Sequence, residues 1–326
     1  MNEKPLLRVE NLGVNFYTRH GVVNAVTDTN FEIQKNEILG LVGESGCGKS
    51  VTALSILRLL LEPPAKIMGG RILYKGEDLL KKAEKEIREI RGKEISMIFQ
   101  NPMSSLNPVL TIGFQVSEPI ILHQDLKDDK EVKRRTVEIL RQMGIPEAEK
   151  RLKDYPHAFS GGMRQRTMIA MALSCSPSLL IADEPTTSLD VTIQVQILKL
   201  MRNLRKEFGS SILLITHDFG VAAQLCDTIA VMYAGETIEY GSAVDVLKDP
   251  KHPYTKCLLS SIPRIDIEIE RLEPIKGSVP NAMNYPAGCR FHPRCPYLIE
   301  DKCPEEEPKV TKLAERRMVK CHLYRR

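Results

Sequence analysis

The residues Gly43-Glu44-Ser45-Gly46-Cys47-Gly48-Lys49-Ser50 spell G-x-x-x-x-G-K-S, between an apolar run at 38–42 and a helix-compatible stretch at 51–61. In that strand-to-helix context the pattern predicts a phosphate-binding loop. Its glycines let successive backbone N–H groups turn inward on a polyphosphate, and a helix opening at Val51 adds partial positive charge. Lys49 supplies a full charge. Ser50 is placed to offer its hydroxyl to a magnesium ion bridging the outer phosphates. These eight residues and Val51 are expected to bind a nucleoside triphosphate.

Further candidates lie downstream. The apolar segment Leu179-Leu180-Ile181-Ala182 ends in Asp183-Glu184. Carboxylates at the carboxyl end of a parallel strand border the ligand crevice. Asp183 suits magnesium held through its water shell, and Glu184 suits polarisation of an attacking water. Acids after a strand are otherwise an ordinary solvated loop; the phosphate loop upstream favours the chemical reading. Ser160-Gly161-Gly162 heads a helical stretch and offers a second anion site, although alone it reads as a simple helix cap.

The cysteines divide into two groups. Cys47, Cys175, Cys226 and Cys257 are scattered and read as small buried apolar residues, whereas Cys289, Cys295, Cys303 and Cys321 follow C-x5-C-x7-C-x17-C. Four thiolates can hold tetrahedral zinc or a cubane iron–sulfur cluster, or stay unligated. The tight C-x2-C knuckles of a zinc ribbon are absent, and Pro293, Pro296 and Pro304 suit a loop wrapped around something bulky. His292 and His322 are possible substitute ligands, with a solvated loop the plainer role.

The elements that must position these groups follow an α/β pattern. Strand-like alternation over 6–40 predicts an antiparallel sheet leading into the phosphate-loop strand. Helix 51–61 ends at Pro63-Pro64, a solvated helix covers 81–91, and a buried strand at 95–99 ends in Gln100. Residues 102–170 read as a helical insertion. Strand 179–182, helix 191–208, strand 212–216 and strand 229–233 then restore the pattern. Beyond about residue 245 proline density rises, marking an appended segment. A net charge of +4 over 326 residues is too small to argue for nucleic acid. The N-terminal Met1-Asn2-Glu3-Lys4-Pro5 does not read as a signal peptide. No apolar run approaches the roughly 18 residues that cross a bilayer, so membrane association is expected through partners.

Together the phosphate loop, the Asp183-Glu184 strand and Phe159-Ser160-Gly161-Gly162-Met163 resemble the ATP-binding cassette (ABC) family, whose signature motif is usually L-S-G-G-Q. Met163 in place of Gln resembles the peptide and nickel importer branch. The resemblance implies a P-loop NTPase fold: a RecA-like core, an antiparallel β subdomain and a helical subdomain at about 102–170, all within 1–250. A small irregular C-terminal domain over 251–326 completes it. It also implies an ATPase in which Glu184, His217 and Gln100 are catalytic. Gln100 additionally touches magnesium alongside Ser50 and Asp183, and Ser188-Leu189-Asp190 is the D-loop. Tyr17 is expected to stack on adenine, with Phe16 as its rival and a core role open for either.

His252-Pro253-Tyr254-Thr255-Lys256, Gly277-Ser278-Val279-Pro280 and Cys289-Arg290-Phe291-His292-Pro293-Arg294-Cys295 resemble the extension of oligopeptide and dipeptide permease ATPases. The resemblance implies import of dipeptides or oligopeptides, with nickel or another small solute as the alternative. A soluble ABC ATPase outside transport is the second alternative. Implied partners are a related second ATP-binding subunit in a heterodimer, two integral-membrane permease subunits and, indirectly, an extracytoplasmic peptide-binding protein. No nucleic acid is expected. The chain would lie peripherally on the cytoplasmic face of the membrane, with residues 101–120 facing the permease. The family points to a [4Fe–4S] cluster at the four late cysteines, Zn2+ being the alternative. Because cysteines and phosphate loop are far apart in sequence, losing a thiolate is expected to leave ATP binding intact.

Overall fold

The computed structural model describes residues 4–101, 105–124, 126, 128–187, 190–261 and 275–324. Two compact units emerge, one from residues up to Gln34, Ile38–Leu80 and Thr216 onward, the other from Lys35–Glu37 and Lys81–Ile215.

In the first unit β1 (Leu7–Thr18) pairs antiparallel with β2 (Gly21–Ile33) and with β4 (Ala65–Tyr74), which carries the short β5 (Glu77–Asp78). β3 (Ile38–Val42) is Ile-Leu-Gly-Leu-Val and buried throughout, as a strand covered on both faces must be. It pairs in parallel with β9 (Thr228–Tyr233), and β9 turns back into β10 (Glu236–Ser242). Ala234 and Gly235, with φ of 48° and 83°, make that two-residue turn, the left-handed pair a tight hairpin needs. α1 covers Lys49–Ile56. It stops short of the expected residue 61 because Arg58 is left-handed, with φ 51°, and Pro63-Pro64 follows.

The C-terminal segment is small and largely irregular, but it is no separate appendage. α10 (Pro253–Ser260) precedes the hairpin β11 (Val310–Ala314) and β12 (Arg317–Lys320). (α8, Phe219–Leu225, and α9, Ala243–Lys248, lie before it.) β12 pairs antiparallel with β10, Tyr240 opposite Met318. Tyr254, Phe291 and Val319 are fully buried, and Tyr254 and Phe291 pack on Tyr233 with ring centroids 4.6 and 5.3 Å away. Too poor in apolar residues for its own core, the segment uses the cassette's.

In the second unit β6 (Ile95–Ile98), β7 (Leu179–Asp183) and β8 (Ser211–Thr216, through Ile215) run parallel, β7 in the middle. α2 (Glu84–Ile90) turns only Ile87 inward, as a solvated helix does. The block between β6 and β7 holds α3 (Ile112–His123), α4 (Asp129–Gln142), α5 (Ala148–Arg151) and α6 (Gly161–Leu173). α7 (Val191–Phe208) follows β7. Among the described residues no helix is long and apolar enough to cross a membrane.

Candidate functional site: a phosphate loop, a strand-end carboxylate and a thiol cluster

The phosphate loop closes on its own lysine. Lys49 is buried, and its Nζ donates to the carbonyl oxygens of Gly43 and Glu44 at 2.7 and 2.9 Å. Those oxygens hold the ammonium where a phosphate oxygen can take it over. Gly43 is dictated by crowding, since a Cβ there would stand 2.2 Å from the Met232 carbonyl oxygen. Gly48 combines φ +104° with a Cβ position 2.6 Å from the Ala25 oxygen. Cys47 is buried, and burial pushes its thiol up, against the opposing pull of Lys49. Ser45 and Gly46 lie exposed on the loop, and Ser50 and Val51 are half-buried in the first turn of α1. Tyr17 stands exposed at the end of β1, its hydroxyl donating to the Met68 sulfur at 3.5 Å, whereas Phe16 is half-buried. His217 is exposed just past β8, ahead of Asp218, which caps α8 through the Gly220 and Val221 N–H groups.

The second unit carries the acids. Asp183 is buried at the end of β7. Glu184 follows with φ 45°, a left-handed conformation unusual for a non-glycine residue and concentrated at functional sites. Glu184 Oε2 accepts hydrogen bonds from Gln100 Nε2 and Thr187 Oγ1, both at 3.0 Å. Its N–H donates to the Ile215 oxygen at 3.0 Å. Ser160 caps α6 through the Met163 N–H, and Asp190 caps α7 through the Ile193 N–H. Nothing crowds a Cβ at Gly161, while one at Gly162 would meet Ile193 in ordinary contact at 3.5 Å. Ser188 and Leu189 of the expected D-loop fall outside the described residues.

The four late thiols gather. Burial pushes Cys289 up to about 12 and Cys295 up to about 11, and proximity to the other thiols of the set adds to both. Cys321 is raised by burial and by Cys303 as well. Three sulfurs receive a backbone N–H from two residues on: Phe291 to Cys289, Tyr297 to Cys295 and Leu323 to Cys321. The Cys289 N–H donates to the Cys303 oxygen at 2.8 Å. His322 is not solvated: it is buried, Nε2 lies 2.8 Å from the Glu306 oxygen, and Nδ1 has no partner. Half-buried His292 turns Nδ1 to the Cys289 oxygen at 3.0 Å. Among the described residues no group of three or more His, Cys, Asp or Glu side chains is disposed to hold a metal ion.

Separation in sequence does not mean separation in space. Arg294, beside Cys295, forms a bidentate pair with the Glu44 carboxylate, Nη1 to Oε2 at 2.8 Å and Nη2 to Oε1 at 3.0 Å. The thiol region and the phosphate loop, far apart in sequence, are therefore joined by a direct side-chain pair. Arg290 bridges back similarly, to Thr27 Oγ1 at 2.7 Å, to the Ala234 oxygen and to Glu236 at 3.1 Å. Sequence reasoning gave Thr187, Tyr254, Arg290 and Arg294 no role; two arginines just inside a cysteine pair were the available signal.

Comparison with known proteins gives the family. Residues 26–187 match the ABC transporter family, and residues 238–303 match the oligopeptide/dipeptide transporter C-terminal region. The chain is 52% identical over 319 residues to the oligopeptide transport ATP-binding protein AppD of Bacillus subtilis, spanning 98% of this chain and 97% of that protein. It is 49% identical over 318 residues to the dipeptide transport ATP-binding protein DppD of the same organism, spanning 98% and 94%. Among solved structures it resembles a post-hydrolysis dimer of the ATP-binding cassette MJ0796 bound to ADP and phosphate. That likeness has a TM-score of 0.65 at 26% identity and covers 73% of this chain and 98% of that one. The chain belongs to the ABC transporter ATPases, in the branch that carries the oligopeptide/dipeptide transporter C-terminal region.

Proposed function

We propose that this subunit hydrolyses ATP to drive uptake of dipeptides or oligopeptides through two integral-membrane permease subunits, working beside a related second ATP-binding subunit. An extracytoplasmic binding protein would deliver the peptide, and the chain would lie on the cytoplasmic face of the membrane. The observation that carries the hydrolytic reading is Glu184, pinned in a left-handed backbone and held through one oxygen by Gln100 and Thr187. A protein using ATP only as a switch has no need of a carboxylate so constrained.

In this reading the amides of Gly43 to Ser50 and the Lys49 ammonium bind the phosphates, and Tyr17, more exposed than Phe16, stacks on adenine. Glu184 polarises the water, Gln100 holds the carboxylate's orientation, and His217 contacts the γ-phosphate. Ser50, Gln100 and Asp183 would hold Mg2+, whose charge offsets that of the phosphates. Ser160 to Gly162 and Asp190 complete the site of the neighbouring subunit. The exposed Val191 and Val195 beside Asp190, 77% and 55% accessible, suit a surface that a second cassette covers. Phe114, Ile121 and Leu122, exposed on α3, suit a cytoplasmic loop of the permease, so coupling would run from Gln100 through residues 101–120.

The reading of a [4Fe–4S] cluster at the four cysteines rests on their chemistry as a four-thiol donor set, the present arrangement of the described residues offering no site for a metal ion. The thiols are gathered and shielded, and three receive the backbone N–H that steadies a ligating sulfur. Cys289, Cys295, Cys303 and Cys321 would hold it, and it would act as a cross-link for the C-terminal segment. Anaerobically prepared protein should contain about four irons and four sulfides per chain. Stoichiometric zinc without sulfide would replace the cluster and leave the thiol site standing. For the ATPase, Glu184→Gln should preserve ATP binding and lower turnover by about 10²–10⁴, because one uncharged acceptor replaces the carboxylate. Turnover at the parental rate would remove Glu184 from its role.

A further inference from the structure

Glu44 is the second residue of the phosphate loop, and every polar group it owns is engaged. Its carbonyl oxygen accepts from Lys49 Nζ at 2.9 Å. Its N–H donates to Tyr254 Oη at 2.9 Å. Its carboxylate takes both arms of the Arg294 guanidinium. The first contact orients the ammonium that must meet the phosphates. The other two come from the C-terminal segment. A rotation of the Glu44 peptide would carry the carbonyl away from Lys49 and leave the ammonium on the Gly43 oxygen alone, so whatever fixes Glu44 helps to fix Lys49.

The hold is well built. Arg294 is 5% exposed and Glu44 26%, so the pair is largely out of water and a lone partner would be costly. Tyr233 braces the guanidinium, with Nη1 3.4 Å from its hydroxyl. Arg294 Nε donates to the Lys276 oxygen at 3.0 Å. Tyr254 is fixed by its tilted ring contact with Tyr233 and its edge contact with Phe291, the residue after Arg290. The loop from Cys289 to Cys295 thus presents an arginine just inside each cysteine, and both reach into the cassette.

We propose that the C-terminal segment is a latch on the phosphate loop: Arg294, as a positioning residue, and Tyr254 hold Glu44, and thereby Lys49, in the nucleotide-receiving arrangement. The four-thiol site in turn holds Arg294. The latch rests on this geometry alone; its dependence on the thiols rests on the proposal that they bind a cluster. Loss of the cluster would then lower ATP affinity and spare the hydrolytic groups.

The test uses the full chain with mant-ATP and Mg2+, together with KM and kcat for ATP and an iron and sulfide count on each sample. Arg294→Ala should weaken mant-ATP binding about tenfold and raise KM, with a smaller loss in kcat. Arg294→Lys should fall between, since it keeps the charge and loses the bidentate fork. Parental affinity in Arg294→Ala overturns the latch. Cys295→Ser should lose its iron and weaken mant-ATP to the level of Arg294→Ala, with no further loss when the two are combined. Iron lost with affinity unchanged would refute the thiol link while the Arg294 arm still decides the latch. Metal-free wild-type protein that binds mant-ATP as the parent does would refute the cluster dependence directly.

Discussion

Acid should loosen the C-terminal segment before it affects the rest of the unit, and His252 is the reason. His252 is fully buried, caps α10 by accepting the Tyr254 N–H on Nδ1 at 3.0 Å, and bonds the Lys320 backbone on its other side. Burial holds its pKa down to about 3, with the Lys320 contact opposing weakly. An unfolded histidine titrates near about 6.5. Below that value the unfolded chain takes up a proton that the folded chain refuses. The neutral ring's contribution is thus complete above about pH 6.5 and drains away as the pH falls toward about 3. At about pH 5 the loss is about 2 kcal/mol, and at full protonation of both states about 5 kcal/mol. His252→Asn keeps a cap acceptor and cannot titrate; its smaller side chain adds a cost that does not vary with pH. Urea midpoints of the two proteins, measured between about pH 8 and 5, should therefore converge as the solution is acidified. Glu239, whose carboxylate accepts the Lys251 and His252 N–H groups, is common to both proteins and cancels in the difference. Parallel pH profiles would refute the reasoning.

Other outcomes follow from the same geometry. Gly43→Ala places a methyl 2.2 Å from the Met232 oxygen and should move the phosphate loop enough to abolish nucleotide binding, measurable with mant-ATP; retained binding would mean that the loop yields cheaply. The half-buried thiols of Cys289 and Cys295, pushed up to about 12 and about 11, must shed protons to become ligands. Anaerobic loading with iron and sulfide should accordingly be more complete at about pH 8.5 than at about pH 6.5, and a flat profile would argue against four thiolate ligands.

Strands with two covered faces announced themselves in sequence, because β3 and β7 are uninterrupted apolar runs ending where the chemistry begins. The phosphate loop was equally plain: Gly43 and Gly48 are forced by close backbone approach, and only glycine meets that constraint. Hairpin β11 to β12 was not legible. Val-Thr-Lys-Leu-Ala and Arg-Met-Val-Lys are short and charged, and they are strands because β10 offers them unpaired backbone. Local sequence contains no record of that offer. The Arg294 to Glu44 pair was hidden for a related reason, since 250 residues separate partners that the fold brings within 2.8 Å. The left-handed Glu184 was also invisible: glutamate has no preference for that conformation, and the fold imposes it.

β10 touches β2 through a single bridge, Glu236 opposite Asp28, and the two strands then part. From Glu239 onward β12 takes the place that β2 has left. A cassette cut off before residue 310 would therefore expose a stretch of β10 whose amides and carbonyls face nothing, beside the buried Ile238 and Tyr240. Such a seam recruits strands from other molecules, so the shortened protein should precipitate or form adhesive oligomers. Engineering a minimal motor from this subunit would require keeping the hairpin or planting charges and a proline along the seam.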